Sequence, residues 1–283
     1  MKKYLKYTLL PFLLCLLFTF CAKKASPEKE LSKNILYFEY DSIKKGIILD
    51  GMLNDSIPMQ FFYDTGFTSN KGLIISDSLR NTLTDSLYKV KINDVEQLYK
   101  IHFASDSYFL FQHFSQNTAF LELGFFEDKI VKISYKQKYI QTLDSISEAE
   151  EYICLPLKRE ENCPTCLGVE TEVFLQGKHI REYLLLDTGF NGFASFNDNI
   201  IEKYSINTDS AQRIQSLNTS HRKYQLLADS IKAGYPISDG QKVEFLAKGD
   251  HERYPYSGLL GNAFLENFEI IFDFKDYKMY IKP

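Results

Sequence analysis

The chain has 283 residues, 45% hydrophobic and 25% charged, which is enough for one large domain or two ordinary ones of globular composition. Its net charge is −4 and it carries no basic tract, which argues against a nucleic-acid partner. The 19 Tyr and 23 Phe, with no Trp, favour β-structure over helix bundles.

Residues 1–20 read as a signal peptide. Lys2, Lys3 and Lys6 precede an almost unbroken apolar run from Tyr7 to Phe20, shorter than the ~20 residues a spanning helix needs. Cys21 follows, then a charged, Pro-containing tether over residues 21–34. This layout resembles a bacterial lipoprotein signal, which implies lipidation of Cys21 and an exported protein held at the membrane of the cell envelope, in the periplasm or at the outer membrane. Phe20 departs from that pattern, because the residue before the lipidated Cys is usually small, so ordinary cleavage or an uncleaved anchor stays open. Removal of residues 1–20 takes away three lysines and no acid, moving the net charge to −7.

From residue 35 the chain reads as one unit repeated, over 35–150 and 151–283. In the first half an alternating stretch around Gly46–Gly51 turns at Asn54-Asp55-Ser56 and continues as the apolar strand Phe61-Phe62-Tyr63, which ends in Asp64-Thr65-Gly66. Residues 76–87 predict a short helix, and 88–103 further strands. Leu121-Glu122-Leu123-Gly124 then leads into Ile130–Tyr135, a turn at Lys136-Gln137-Lys138, and a last strand. In the second half Val169–Leu175 alternates with period two. It turns at Gln176-Gly177-Lys178 and continues as Leu184-Leu185-Leu186, ending in Asp187-Thr188-Gly189. Residues 197–204 predict a capped short helix and 222–248 further strands. Gly258-Leu259-Leu260-Gly261 leads into a closing hairpin. Gly124 and Gly261 are expected to correspond, 60 and 74 residues after their Asp, with the extra length falling before Gly258. The composition is that of small β-barrel-like halves with few short helices.

A carboxylate at the end of a buried strand is costly unless something holds it. Having the same arrangement twice makes each Asp the obvious partner of the other. Two carboxyls sharing a site keep one proton between them, an acid beside a base.

These residues resemble the retropepsin-like aspartic peptidases and the two-lobed pepsins. The resemblance rests on hydrophobic-Asp-Thr-Gly in both halves and on Leu259-Leu260-Gly261, with Leu123-Gly124 as a looser copy. It covers about residues 35–283 and is best from 165 onward. It implies two retropepsin-like β-barrel lobes forming an intrachain pseudo-dimer in a monomer. It also implies a peptide or protein substrate, and catalytic Asp64 and Asp187 activating a water without metal or cofactor. Gly66 and Gly189 would let backbone N–H groups approach the carboxylates, and Thr65 and Thr188 would hydrogen-bond across the interface. Three features depart from the family, one being that the first half is the more divergent copy, which leaves open that it is a structural partner only. Phe67 and Phe190 stand where a small residue is usual, and no glycine-containing flap hairpin is visible.

The different-class alternative is a non-enzymatic envelope protein that binds a peptide, glycan or protein. Pairing of Asp187 with its twin in a homodimer is a further alternative. Cys163-Pro164-Thr165-Cys166 precedes a strand rather than opening a helix, so a turn-closing disulfide, or a bond from one of the two to Cys154, fits better than redox chemistry. The five His (102, 113, 179, 221, 251) show no metal-ligand spacing. The run Tyr108–Phe111 reads as core, and Tyr254, Pro255 and Tyr256 as cleft lining or ordinary loop.

Overall fold

The structure, a computed structural model, describes residues 34–283 except 42–45, 68–71, 106–110, 112–114, 116, 148, 162, 216–221 and 249–255. The expected signal peptide, Cys21 and the tether to residue 33 lie outside the described residues, as do Tyr108, Phe109, Leu110, His113, His221, His251, Tyr254 and Pro255.

The first half runs through β1 (Ile35–Asp41), β2 (Gly46–Leu53), β3 (Ile57–Asp64), β4 (Gly72–Ser76), β5 (Tyr88–Ile92), β6 (Val95–Ala104), β7 (Thr118–Glu122), β8 (Ile130–Ser134) and β9 (Tyr139–Leu143). The second runs through β10 (Ile153–Glu160), β11 (Cys163–Leu175), β12 (Lys178–Asp187), β13 (Ala194–Phe196), β14 (Gln212–Gln215), β15 (Arg222–Ala233), β16 (Tyr235–Leu246), β17 (Gly258–Gly261), β18 (Glu269–Asp273) and β19 (Lys278–Lys282). Among the described residues the α-helices are α1 (Asn199–Lys203) and α2 (Asn262–Leu265), so the chain is mostly β, a double barrel-like arrangement.

Each Asp strand is central in its half. β3 pairs antiparallel with β2 and parallel with β7, and β12 does the same with β11 and β17. β4 runs parallel to β6 and antiparallel to β7, and β13 has the same relation to β16 and β17. A strand covered on both faces reads as a continuous apolar run, which is why Phe61-Phe62-Tyr63 and Leu184-Leu185-Leu186 do not alternate. Phe61, Tyr63, Leu184 and Leu186 enter the main core, whereas Phe62 and Leu185 face separate outer clusters. Each such buried side chain contributes about 1.5–3 kcal/mol relative to exposure. The hairpins feeding the strands turn through left-handed residues, Asn54 and Asp55 (φ 47° and 57°) before β3 and Gln176 and Gly177 (φ 53° and 70°) before β12. The halves are joined by an antiparallel sheet ordered β1, β9, β8, β18, β19, β10, in which Val131 faces Phe272 and Ile133 faces Ile270.

Three expectations are corrected. Residues 76–87 form only a 3-10 turn over Asp77–Leu79, capped by the Ser76 hydroxyl accepting from the Ser78 N–H. None of the residues in that turn is fully buried, and among the apolar side chains of 76–87 only Leu79 and Leu83 reach the core while Leu87 is exposed, too short an apolar face to hold a longer helix. The residue matching Gly261 is Glu122 rather than Gly124, because in the parallel registers Asp64 faces Glu122 as Asp187 faces Gly261. Most of the extra length of the second half lies between β13 and β15, in residues 197–221 carrying α1 and β14, against residues 77–87 in the first half, and the rest in the longer β15–β16 pair, 222–246 against 88–104 for β5 and β6.

Candidate active site

Both chain reversals after the Asp strands are closed by the Asp side chain itself. Asp64 Oδ1 accepts from the N–H groups of Gly66 and Phe67, both at 3.0 Å, and Asp187 Oδ1 accepts from Gly189 and Phe190 at 2.8 and 2.9 Å. This orientation turns the rest of each carboxyl toward the other, and Asp64 and Asp187 are in hydrogen-bond contact. Asp187 is 8% exposed, and Asp64 is half-buried. Burial pushes the Asp64 carboxyl well above the ordinary range, and the charge of Asp187 and its hydrogen bond push the same way; the Gly66 and Phe67 N–H groups oppose them without cancelling them. The pair therefore holds one proton between its members at pH values where an isolated carboxyl would be ionised.

The threonines lock the two loops. Thr65 N–H donates to Thr188 Oγ1 and Thr188 N–H to Thr65 Oγ1, both at 3.0 Å. Each hydroxyl then donates onward across the interface at 2.8 Å, Thr65 Oγ1 to the Leu186 carbonyl and Thr188 Oγ1 to that of Tyr63. Both side chains are buried, so every donor here is paired away from water, the condition under which such a network rigidifies a site. Asn262, fully buried at the start of α2, adds a support that reading the sequence did not reveal. Its amide donates to the Thr188 carbonyl, and its Oδ1 accepts from the Tyr135 hydroxyl at 2.6 Å, tying the second loop to the end of β8. An Asn inside the apolar run Leu259–Leu265 was the available signal, since a polar side chain buried there must have partners. Leu123 follows Glu122 where Asn262 follows Gly261, so the support has no copy in the first half.

Phe67 and Phe190 occupy matching places. Phe67 packs on the outer cluster of Phe62, Phe111 and Phe120, and Phe190 on that of Leu185, Leu259, Cys166 and Tyr256, while the N–H of each still binds its Asp. Each aromatic thus rests on the outer face of its own sheet. At Gly261 a Cβ would lie 2.5 Å from the Phe190 ring and from the Gly192 carbonyl, which explains glycine there. The first half accommodates Glu122 instead. Its buried carboxylate turns toward Gly124, where a Cβ would lie 3.2 Å from Glu122 Oε1.

β14 and the start of β15 form a hairpin that went unrecognised, because Gln212-Arg213-Ile214-Gln215 contains neither glycine nor apolar alternation. Lys223 on β15 places its ammonium 5.6 Å from the centre of the Phe190 ring and 3.1 Å from Glu244. The first half has no corresponding described strand between β4 and β5.

Cys163 and Cys166 are joined by a disulfide at the start of strand β11, inside the strand rather than in the turn before it, and Cys154 is free and exposed. Cys166 is buried against Tyr256, whose hydroxyl donates to the carbonyls of Lys158 and Cys166 at 2.7 and 3.1 Å. Burial pushes that phenol up to about 12. Tyr256 is therefore a clamp inside the cluster under Phe190 rather than a cleft residue. Because the disulfide closes a very short loop, replacing both cysteines by serine is expected to cost only about 2 kcal/mol. Thermal denaturation of wild type and double variant, with and without dithiothreitol, measures this; wild type in reductant should melt like the variant.

Among the described residues no group of His, Cys, Asp and Glu could hold a metal ion. His179 instead stacks on Phe174 and hydrogen-bonds Glu172 at the surface.

No protein-family model matches the sequence, and no curated protein does. Similarity to solved structures is in fold. Conglutin gamma, a basic 7S globulin from lupine seeds, aligns over 88% of this chain and 94% of its own at TM-score 0.53 and 10% identity. Basic 7S globulin from soybean aligns over the same shares at TM-score 0.47 and 9% identity. A retropepsin-like aspartic protease from Rickettsia conorii aligns over 46% of this chain and 87% of its own at TM-score 0.33 and 16% identity.

Proposed function

We propose that the chain is an aspartic endopeptidase of two retropepsin-like lobes, 35–150 and 151–283, acting through Asp64 and Asp187. The observation that carries this reading is the mutual carboxyl pair, each member oriented by two backbone N–H groups and locked by reciprocal threonine bonds. The ionised member of the pair takes a proton from a water held between the two carboxyls as that water attacks a peptide carbonyl. The protonated member hydrogen-bonds the carbonyl oxygen as negative charge develops on it. The proton then passes to the leaving amine, and the pair is left holding one proton again. The fixed N–H donors keep the carboxyls from turning away, so little reorganisation is needed during the reaction. The lipoprotein-like N-terminus would place this activity at the cell envelope.

The experiment is hydrolysis of a mixed peptide library across pH 3 to 8 by wild type, Asp64→Asn and Asp187→Asn. Both variants should lose at least about a thousandfold in kcat/KM, since each removes one half of an acid–base pair. Loss in Asp187→Asn alone would point to a dyad formed with a second chain. Folded wild type that cuts nothing at any pH would leave the binding-protein reading.

A further inference from the structure

We infer that Phe67 and Phe190 limit the two residues flanking the cleaved peptide bond to small side chains. The inference rests on the peptidase reading for the bond that is cut, and on strand geometry for the size limit. In a strand, residues two apart share a face. Asp64 therefore projects from the face of β3 that carries Phe62, and Asp187 from the face of β12 that carries Leu185, in each case the face away from the main core. On the neighbouring parallel strands Phe120 sits beside Phe62 and Leu259 beside Leu185. A peptide that reaches the carboxyl pair lies over these two faces.

Phe62, Phe120, Leu185 and Leu259 are buried, whereas Phe67 and Phe190 are only partly so, which leaves the last two as the surface a peptide meets. Each starts at the N–H that its own Asp accepts, so its ring is anchored beside the carboxyl. The Phe190 ring is also wedged in place. A Cβ at Gly192 or at Gly261 would collide with it, and the Lys223 ammonium lies 5.6 Å from its centre. Phe67 is held by Phe62, Phe111 and Phe120. A ring packed in this way cannot leave its rotamer without losing those contacts, so it fills space rather than yields it. In an extended peptide successive side chains point to opposite sides, and the residues before and after the cut therefore meet different rings. Gly, Ala and Ser fit beside them, and larger side chains overpack the site.

The test uses peptide pools of mixed sequence with Ala-Ala fixed at the centre, and twin pools with Leu replacing the first or the second Ala. Wild type should cut the central bond of the Ala-Ala pool roughly tenfold or more faster than that of either twin, the scale of one misplaced methylene group. Phe67→Ala should bring one twin level with the Ala-Ala pool, and Phe190→Ala the other. Where either variant does not fold, Phe67→Leu or Phe190→Leu should give a smaller shift in the same direction. Wild type that cuts all three pools equally overturns the size limit and leaves the peptidase reading intact. So does a preference for Leu that the Phe→Ala variants lose, since the rings would then be binding surfaces rather than walls. If no pool is cut, fluorescence anisotropy of the labelled pools on the same proteins decides. Weaker binding of the Leu twins, relieved in Phe67→Ala or Phe190→Ala, supports the size limit and removes the peptidase reading; equal binding overturns both.

Discussion

Gly189→Ala is expected to abolish peptide cleavage and to destabilise the fold by about 3 kcal/mol or more, the upper range for overpacking a well-filled site. A Cβ at Gly189 would sit 2.7 Å from Asp64 Oδ1 and closer still to its carboxyl carbon, and a Cβ at Gly66 would sit 2.6 Å from Asp187 Oδ2. The clash is crossed, because each glycine faces the Asp of the other half. Neither Asp can move aside without giving up the N–H bonds that orient it, and neither loop can retreat while Thr65 and Thr188 hold them together. Gly66→Ala should therefore match Gly189→Ala, although the two residues lie far apart in sequence. Gly240→Ala is the control: it has open space around it and a φ of +70°, so it should cost about 1 kcal/mol of backbone strain and leave cleavage unchanged. Urea denaturation and peptide turnover of the three variants measure both effects. A Gly189→Ala protein that cuts peptides like wild type would show that the carboxyl pair is not the working centre.

The repeat, the Asp strands and their feeding hairpins were legible because they depend on local signals: apolar runs, turn residues and a motif occurring twice. Strand partners across the sheet were less so. Leu123-Gly124 looks like Leu260-Gly261, yet the register of β7 against β3 puts Glu122 in the glycine's place, and only parallel pairing over residues distant in sequence decides it. Asn262 shows the same limit, since its partners Tyr135 and Thr188 lie far from it along the chain and on different elements. Residues 76–87 carried helix propensity but an apolar face of only Leu79 and Leu83, and tertiary packing left them a single 3-10 turn. The aromatic after each Asp-Thr-Gly was readable as a departure but not in its consequence, because the clusters receiving Phe67 and Phe190 are assembled from several strands.

Asp64→Asn is expected to raise thermal stability at neutral pH while removing activity. The Asp64 carboxyl binds its proton more tightly in the fold than in the unfolded chain, where an Asp titrates at about 3.9. Below that value both states are protonated, and the stability this proton confers is fully present. As the pH rises, the unfolded chain releases the proton first, so folding must take one up; above the raised folded value the fold sets two carboxylates against each other. Stability is lost across that window with rising pH. An Asn has nothing to release. Its oxygen keeps the place of Oδ1 before the Gly66 and Phe67 N–H groups, and its amide can donate to an ionised Asp187. Calorimetric melting at pH 3.5 to 8 should show Asp64→Asn several degrees above wild type at pH 7, with the gap closing toward the acid end. A variant less stable than wild type at pH 7 would mean that the fold favours Asp64 ionised, against the burial and the neighbouring charge that favour its proton. The opposite movement of stability and cleavage in one isosteric change would identify the pair as a site whose electrostatic cost is kept for chemistry rather than for folding.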